Sequence, residues 1–221
     1  MDVITLERKV LVKNDEIAAE NRRLFGEKKL LVVNLLSSPG AGKTSLLERT
    51  LEYCQNKVKI GIIVGDVQTD NDAKRIDKYN APVVQIITSG SCHLDSKMVQ
   101  SAMAKLNLNE LDILVIENVG NLVCPTNFDL GEQYRVVVLS TAEGTDKPMK
   151  YPAMFHRANC VIINKIDLLP FTNFSVEEAQ SAVQSLNSNA VILKTSCRTG
   201  EGIETWCKWL LSKTAKTSAT S

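Results

Sequence analysis

Three groups of residues in this chain have types and spacings that suit bound nucleotide and metal. SSPGAGKTSLL (37–47) carries Gly40 and Gly42 immediately before Lys43, Thr44 and Ser45. Flexible glycines ahead of a helix let successive backbone N–H groups, here those of Gly40, Ala41, Gly42, Lys43, Thr44 and Ser45, curl around phosphate oxygens. The stretch matches the phosphate-loop pattern GxxxxGK[ST] except that Ser37 stands at the first glycine. In that pattern Lys43 reaches the β- and γ-phosphates of a nucleotide, and the Thr44 hydroxyl is a ligand for Mg²⁺. Two acids fit the same site. Asp66 closes an apolar run in GDVQTDND (65–72), and Glu117 stands three residues before Gly120 in LVIENVG (114–120), a DxxG-like element with Glu for Asp. Either carboxylate is placed to hold Mg²⁺ directly or through water. Many GTPases carry a water-orienting Gln after that glycine; here the residue is the shorter Asn121. Asp72 is therefore the candidate for positioning the attacking water, with Lys43 and Glu117 as its catalytic partners and slow turnover expected.

A second group reads a base. NKID (164–167) supplies Asn164, Lys165 and Asp167. The Asp167 carboxylate can accept from both N1–H and the 2-amino group of guanine. Adenine presents an acceptor at N1 and no 2-amino group, and sites of this kind discriminate by on the order of 10⁴. The stem of Lys165 can cover the base while its ammonium stays in water. Asn164 would tie this loop to the phosphate loop. TSC (195–197) resembles the element whose backbone meets guanine O6, which adds Ser196 and Cys197.

The third group is softer. Cys92 and His93 are neighbours, and Cys124 lies seven residues beyond Glu117. Thiolate and imidazole suit Ni²⁺ or Zn²⁺ and not Mg²⁺. Three ligands are one short of a closed tetrahedral zinc site, so a two-fold dimer pairing these loops would complete the set.

These residues need a scaffold that brings them to one place. Apolar runs at 29–36, 59–65, 82–88, 111–118, 134–141, 160–165 and 190–196 read as strands, and helical periodicity fills 44–55, 70–79, 95–106, 175–186 and 202–213. Continuous apolar strands alternating with amphipathic helices predict a doubly wound, mostly parallel α/β sheet of about seven strands, a P-loop NTPase architecture. Ligands of such sheets bind outside the carboxyl ends of the strands. An amphipathic helix is expected within 1–26, ended by Gly26, with a GTPase domain over 27–213 and a polar tail over 214–221.

Composition narrows the class further. The 221 residues carry 26 basic and 25 acidic side chains, a net charge of +1. That balance gives no footprint for nucleic acid or membrane. No apolar run reaches the ~20 residues of a membrane helix, and the expected location is the cytoplasm. Six cysteines there argue against a disulfide framework. Cys54, Cys160 and Cys207 read as packing residues, and two histidines exclude a histidine-rich metal store.

In this order, SSPGAGKT, GDVQTDND, CHLD, IENVGNLVCP, EGTDKPMKYP and NKIDLLP resemble the GTPases of hydrogenase maturation, which help insert nickel into nickel–iron hydrogenases. The resemblance implies GTP hydrolysis to GDP, a homodimer favoured by GTP, and Ni²⁺ or Zn²⁺ held by Cys92, His93 and Cys124 at its interface. It implies two protein partners: a small nickel metallochaperone docking on the N-terminal region and, indirectly, the hydrogenase large subunit. It also implies that Lys147 and Lys150 reach the partner subunit's nucleotide. MDVITLERKV has neither the cysteine motif nor the histidine-rich stretch of some members. Two alternatives stay open: the related urease accessory GTPases, and a metal-carrying module in which GTP is only a structural ligand.

Overall fold

The computed structural model describes residues 6–68 and 71–214 of the chain, with side chains from residue 9. Seven strands form one sheet: β1 (Leu31–Ser37), β2 (Ile60–Asp66), β3 (Val83–Ile87), β4 (Ile113–Glu117), β5 (Tyr134–Ser140), β6 (Cys160–Asn164) and β7 (Val191–Thr195). All pairings are parallel, in the order β3-β2-β4-β1-β5-β6-β7. The central strands are apolar on both faces because helices cover both. Alternate side chains serve opposite layers. Leu31, Val33 and Leu35 of β1 pack with α2 (Lys43–Cys54) and α8 (Ile203–Leu211), whereas Val32 packs with Phe25 and Val99 of α1 (Leu6–Glu27) and α4 (Ser96–Met103). A third cluster joins Val137 and Val161 to Phe155 and Val183 of α6 (Pro152–His156) and α7 (Val176–Leu186).

Each of the seven apolar runs forms its strand. Two details of the helices depart from expectation. Gly26 does not end α1; the helix continues to Glu27, and Lys29 takes the left-handed turn at φ 52°. The N–H of Leu30 bonds the Phe25 carbonyl and that of Lys29 bonds Gly26, both at 3.0 Å. This is a Schellman closure with lysine where glycine is usual. Second, α5 (Lys147–Lys150) and α6 fall outside the expected helical segments, and each carries a proline, Pro148 and Pro152. Both prolines stand in the first turn, where the missing N–H has no partner to lose. The short helix α3 (Asn71–Asp77) follows β2.

The helix α1 is fastened by buried asparagines two turns apart. Asn14 bonds both the N–H of Ser96 (2.9 Å) and the Asp129 carbonyl (2.8 Å). Asn21 bonds the carbonyls of Ser96 (3.0 Å) and Leu130 (3.2 Å). Of the expected tail, Thr214 is buried, and residues 215–221 lie outside those described. Among the described residues no helix is long and apolar enough to cross a membrane.

Candidate functional site

The carboxyl ends of β1, β2, β4 and β6, with the loops after β3 and β7, carry the candidate residues. Ser37 ends β1, and the loop to α2 holds Gly40 at φ 73° and Gly42 at φ 102°. Glycine is needed at 42 for two reasons: the left-handed backbone, and the Asn164 amide, whose Nδ2 would lie 2.5 Å from an added Cβ. Ala41 is buried beneath the loop, and Asn164 donates to its carbonyl at 3.0 Å. The expected tie between base loop and phosphate loop is thus an observed hydrogen bond.

Lys43 is 8% exposed and donates to Ser37 Oγ at 3.0 Å. Burial lowers its pKa, opposed by the charges of Glu117, Asp72, Asp66 and Glu143. Thr44 Oγ1 donates to Glu117 Oε1 at 2.8 Å. Burial pushes the Glu117 carboxyl up to about 7, against the pull of Lys43 and the Thr44 hydroxyl. The second oxygen, Glu117 Oε2, is buried and has no hydrogen-bond partner. A hydroxyl beside a carboxylate with such an orphaned oxygen suits a hard cation. Gly120 lies against the phosphate loop; an added Cβ there would meet Pro39 Cα at 2.8 Å.

One residue beside this group was not anticipated. Arg75 of α3 forms two bonds to Glu48, at 3.0 and 2.5 Å, and bonds Ser45 Oγ at 3.0 Å. It also reaches Asp72 Oδ1 at 3.5 Å. Asp66 accepts the N–H of Gln68 at 2.9 Å. An arginine on a short amphipathic helix looks like solvated surface in sequence, so nothing there singled it out.

In the base loop Lys165 is left-handed at φ 65°, which sends its ammonium back to the Gly40 carbonyl at 2.6 Å. Asp167 Oδ1 accepts from Ser196 Oγ at 2.5 Å. Cys197 points its thiol at Asn164 Oδ1 (3.4 Å), and burial pushes that thiol up to about 11. A cavity of about 500 Å³ opens between Gly42, Asn164, Lys165, Asp167, Leu168 and Cys197.

Cys92, His93 and Cys124 come together on neighbouring loops, with ligand atoms all within 4.8 Å of one another. Cys92 Sγ lies 3.8 Å from His93 Nδ1. Hydrogen bonding to Cys124, then burial, raises the Cys92 pKa, and burial lowers that of His93. The imidazole is packed on Phe128, ring centroids 3.9 Å apart. Cys124 opens a 3-10 turn, Cys124–Asn127, and Asn121 accepts its N–H and that of Val123 before it. The other cysteines stand elsewhere: Cys54, Cys160 and Cys207 are buried in the fold.

Within the single chain Lys147 lies against its own phosphate loop, 3.5 Å from Ser38 Oγ, and 3.4 Å from Glu143. Lys150 is paired with Asp146 at 2.7 Å.

Residues 31–194 match the family model described as CobW/HypB/UreG, nucleotide-binding domain. The hydrogenase maturation factor HypB of Azotobacter vinelandii is 49% identical over 208 residues, covering 94% of this chain and 69% of that protein. The HypB of Escherichia coli strain K12 is 47% identical over 208 residues, covering 94% and 72%. The crystal structure of HypB from Helicobacter pylori in complex with nickel superposes with a TM-score of 0.88 at 39% identity, covering 93% of this chain and 96% of that one.

Proposed function

The chain belongs to the CobW/HypB/UreG nucleotide-binding family, and on that premise we propose that it is a metal-binding GTPase that couples GTP binding and hydrolysis to nickel delivery during maturation of nickel–iron hydrogenase. One observation carries the reading. The segment that begins with Glu117, hydrogen-bonded to Thr44, ends with Cys124 beside Cys92 and His93. A change at the γ-phosphate therefore has seven residues through which to reach a thiolate.

The chemistry follows from the side chains. Backbone N–H groups from Gly40 to Ser45 cradle the phosphates. Lys43, held ready by Ser37, stabilises the charge that develops on the transferring phosphoryl group. Thr44, Asp66 and Glu117 would hold Mg²⁺, which when bound neutralises phosphate oxygens. Asp72 orients the water. Asp167, steadied by Ser196, takes the guanine edge, Lys165 covers the base, and the backbone at Cys197 meets O6.

Nickel is the cargo. Cys92 and Cys124 of two chains form a four-thiolate set that suits Ni²⁺, whereas Zn²⁺ draws in His93. A GTP-favoured homodimer brings those loops together, the lysine loop of α5 facing the subunit boundary. A small nickel metallochaperone docking on α1 and the hydrogenase large subunit are the partners. The names borne by the two curated relatives favour hydrogenase over urease as the client.

The test is a nickel titration of the protein loaded with GDP and then with a non-hydrolysable GTP analogue, in wild type and Cys124→Ala. Phosphate release is followed in parallel, with and without nickel. Affinity and stoichiometry should differ between nucleotide states in wild type, and binding should weaken in the variant. Binding that ignores the nucleotide would defeat the coupling. Absence of turnover would leave a binding module.

A further inference from the structure

Glu117 and Asn118 are adjacent on one extended segment, so their side chains leave opposite faces of the sheet. Glu117 turns to Thr44 and the phosphate side. Asn118, 1% exposed, turns the other way, toward Leu94 and Asn34. Its amide is hydrogen-bonded through both oxygen and nitrogen. Oδ1 accepts the N–H of Leu94 at 3.1 Å and of Val119 at 2.9 Å, and Nδ2 donates to Asn34 Oδ1 at 3.3 Å.

Both directions lead to the metal ligands. Leu94 directly follows Cys92 and His93. In the other direction Asn34, fully buried in the middle of β1, donates to Glu132 Oε1 at 3.2 Å. Glu132 is paired with Arg135 at 2.7 Å. The same guanidinium donates to the carbonyls of Thr126 at 2.9 Å and Phe128 at 3.1 Å. Thr126 belongs to the 3-10 turn opened by Cys124, and Phe128 stacks on the His93 ring. A single connected set of buried polar groups therefore holds both metal-bearing loops and touches the strand that ends in Glu117.

Such a set is not what stability alone would place there. Buried ion pairs and amides recover their desolvation only when every group is satisfied, and apolar replacements of similar size are often no less stable. Asn34 interrupts an otherwise apolar run, and the polar group that donates to it is Asn118. The arrangement has a definite mechanical property: a shift of the Glu117–Asn118 backbone cannot leave Leu94 and the Asn34–Glu132–Arg135 arm where they are without breaking a buried bond.

We infer that Asn118 is the positioning residue through which the nucleotide state sets the separation of Cys92, His93 and Cys124, with Asn34 linking it to the Cys124 loop. The inference rests on the nucleotide–metal coupling proposed above. It adds a second path to the direct one along residues 117–124, and it places the control in side chains that touch neither ligand.

The experiment uses the full chain loaded with GDP or with a non-hydrolysable GTP analogue. It compares wild type, Asn118→Ala and the milder Asn34→Ser. Nickel affinity is titrated, and cobalt(II) substituted at the site reports thiolate ligation through its charge-transfer absorption. In wild type the two nucleotide states should differ in affinity and in cobalt spectrum; if they do not, the coupling itself fails and takes the relay with it. Given that difference, Asn118→Ala should still bind nucleotide and metal, but its two affinities should converge to within about twofold and its two spectra should coincide. Asn34→Ser should narrow the difference while leaving the Leu94 bond intact. A folded variant at either position that keeps the wild-type ratio overturns the inference. Should Asn118→Ala fail to fold, the result for Asn34→Ser decides.

Discussion

The side-chain oxygen of Asn121 accepts the backbone N–H of Cys124 at 3.4 Å, together with that of Val123 at 2.8 Å. The residue that follows the sensor glycine is thus part of the cysteine turn. A glutamine at this position would be one methylene too long to close the same turn. Asn121→Gln should therefore not accelerate GTP turnover, which should stay within about twofold of wild type, but should weaken nickel binding. Paired measurements of phosphate release and nickel affinity check this, and a large gain in rate would return Asn121 to the hydrolytic machinery.

In the proposed reaction Lys43 is the charge that stabilises the transferred phosphoryl group. Lys43→Ala should reduce turnover by on the order of 10²–10³-fold, the scale found when one transition-state donor is removed. Single-turnover phosphate release with saturating GTP is the measurement. A rate close to wild type would take the lysine out of the chemistry.

Asp167→Asn should lower GTP affinity by about 10- to 100-fold, the cost of a hydrogen bond to a charged acceptor. It should raise affinity for xanthosine triphosphate, because xanthine carries a carbonyl where guanine carries its 2-amino group and the asparagine amide can donate to it. Competition between the two nucleotides reads both effects. Unchanged selectivity would mean that the base is recognised elsewhere.

Glu117 gives a pH signature in the nucleotide- and metal-free protein. Its carboxyl is pushed up from 4.5 to about 7, chiefly by burial. Between those values the native state holds a proton that the unfolded chain has released. Stability from this group is therefore present at low pH and is lost as pH rises toward 7, with a slope on the order of 1 kcal/mol per pH unit. Glu117→Gln should flatten that part of the profile. Melting temperatures from pH 5 to 8 in both proteins decide it, and parallel profiles would mean that the carboxyl titrates normally.

Much of this arrangement is legible in the sequence. Apolar runs with β-branched residues declared β1, β2, β4 and β6 because a parallel sheet covered on both faces needs nothing else. The phosphate, base and cysteine loops followed by position, since each leaves the carboxyl end of a strand. What stayed hidden depends on contacts distant in the chain. Asn34 inside KLLVVNLL was a visible anomaly, but its partner Asn118 lies 84 positions away. Arg75 resembled an ordinary surface charge until Glu48 and Ser45 closed around it. The short helices α5 and α6 lay outside the expected segments for the opposite reason. Pro148 and Pro152 are strong local signals that start a helix as readily as they break one, and only the register of the backbone distinguishes the two.

The asparagines of α1 have one last consequence. Asn14 and Asn21 each bridge the segment that leads from His93 into α4 and the segment that leads from Cys124 toward β5. The phosphate loop, by contrast, is anchored by β1 and α2 and makes no use of that helix. Lifting α1 from the sheet would therefore remove an anchor from both cysteine loops at once while the nucleotide cradle stayed closed. In terms of local opening, the cysteine loops share the cooperative unit of the N-terminal helix as well as that of the sheet, whereas the phosphate loop belongs to the sheet alone. Amide exchange at Ser96, whose N–H is held by Asn14, should consequently follow the fraying of α1, and a protein that grips this helix would hold one latch of the candidate metal site without touching the metal.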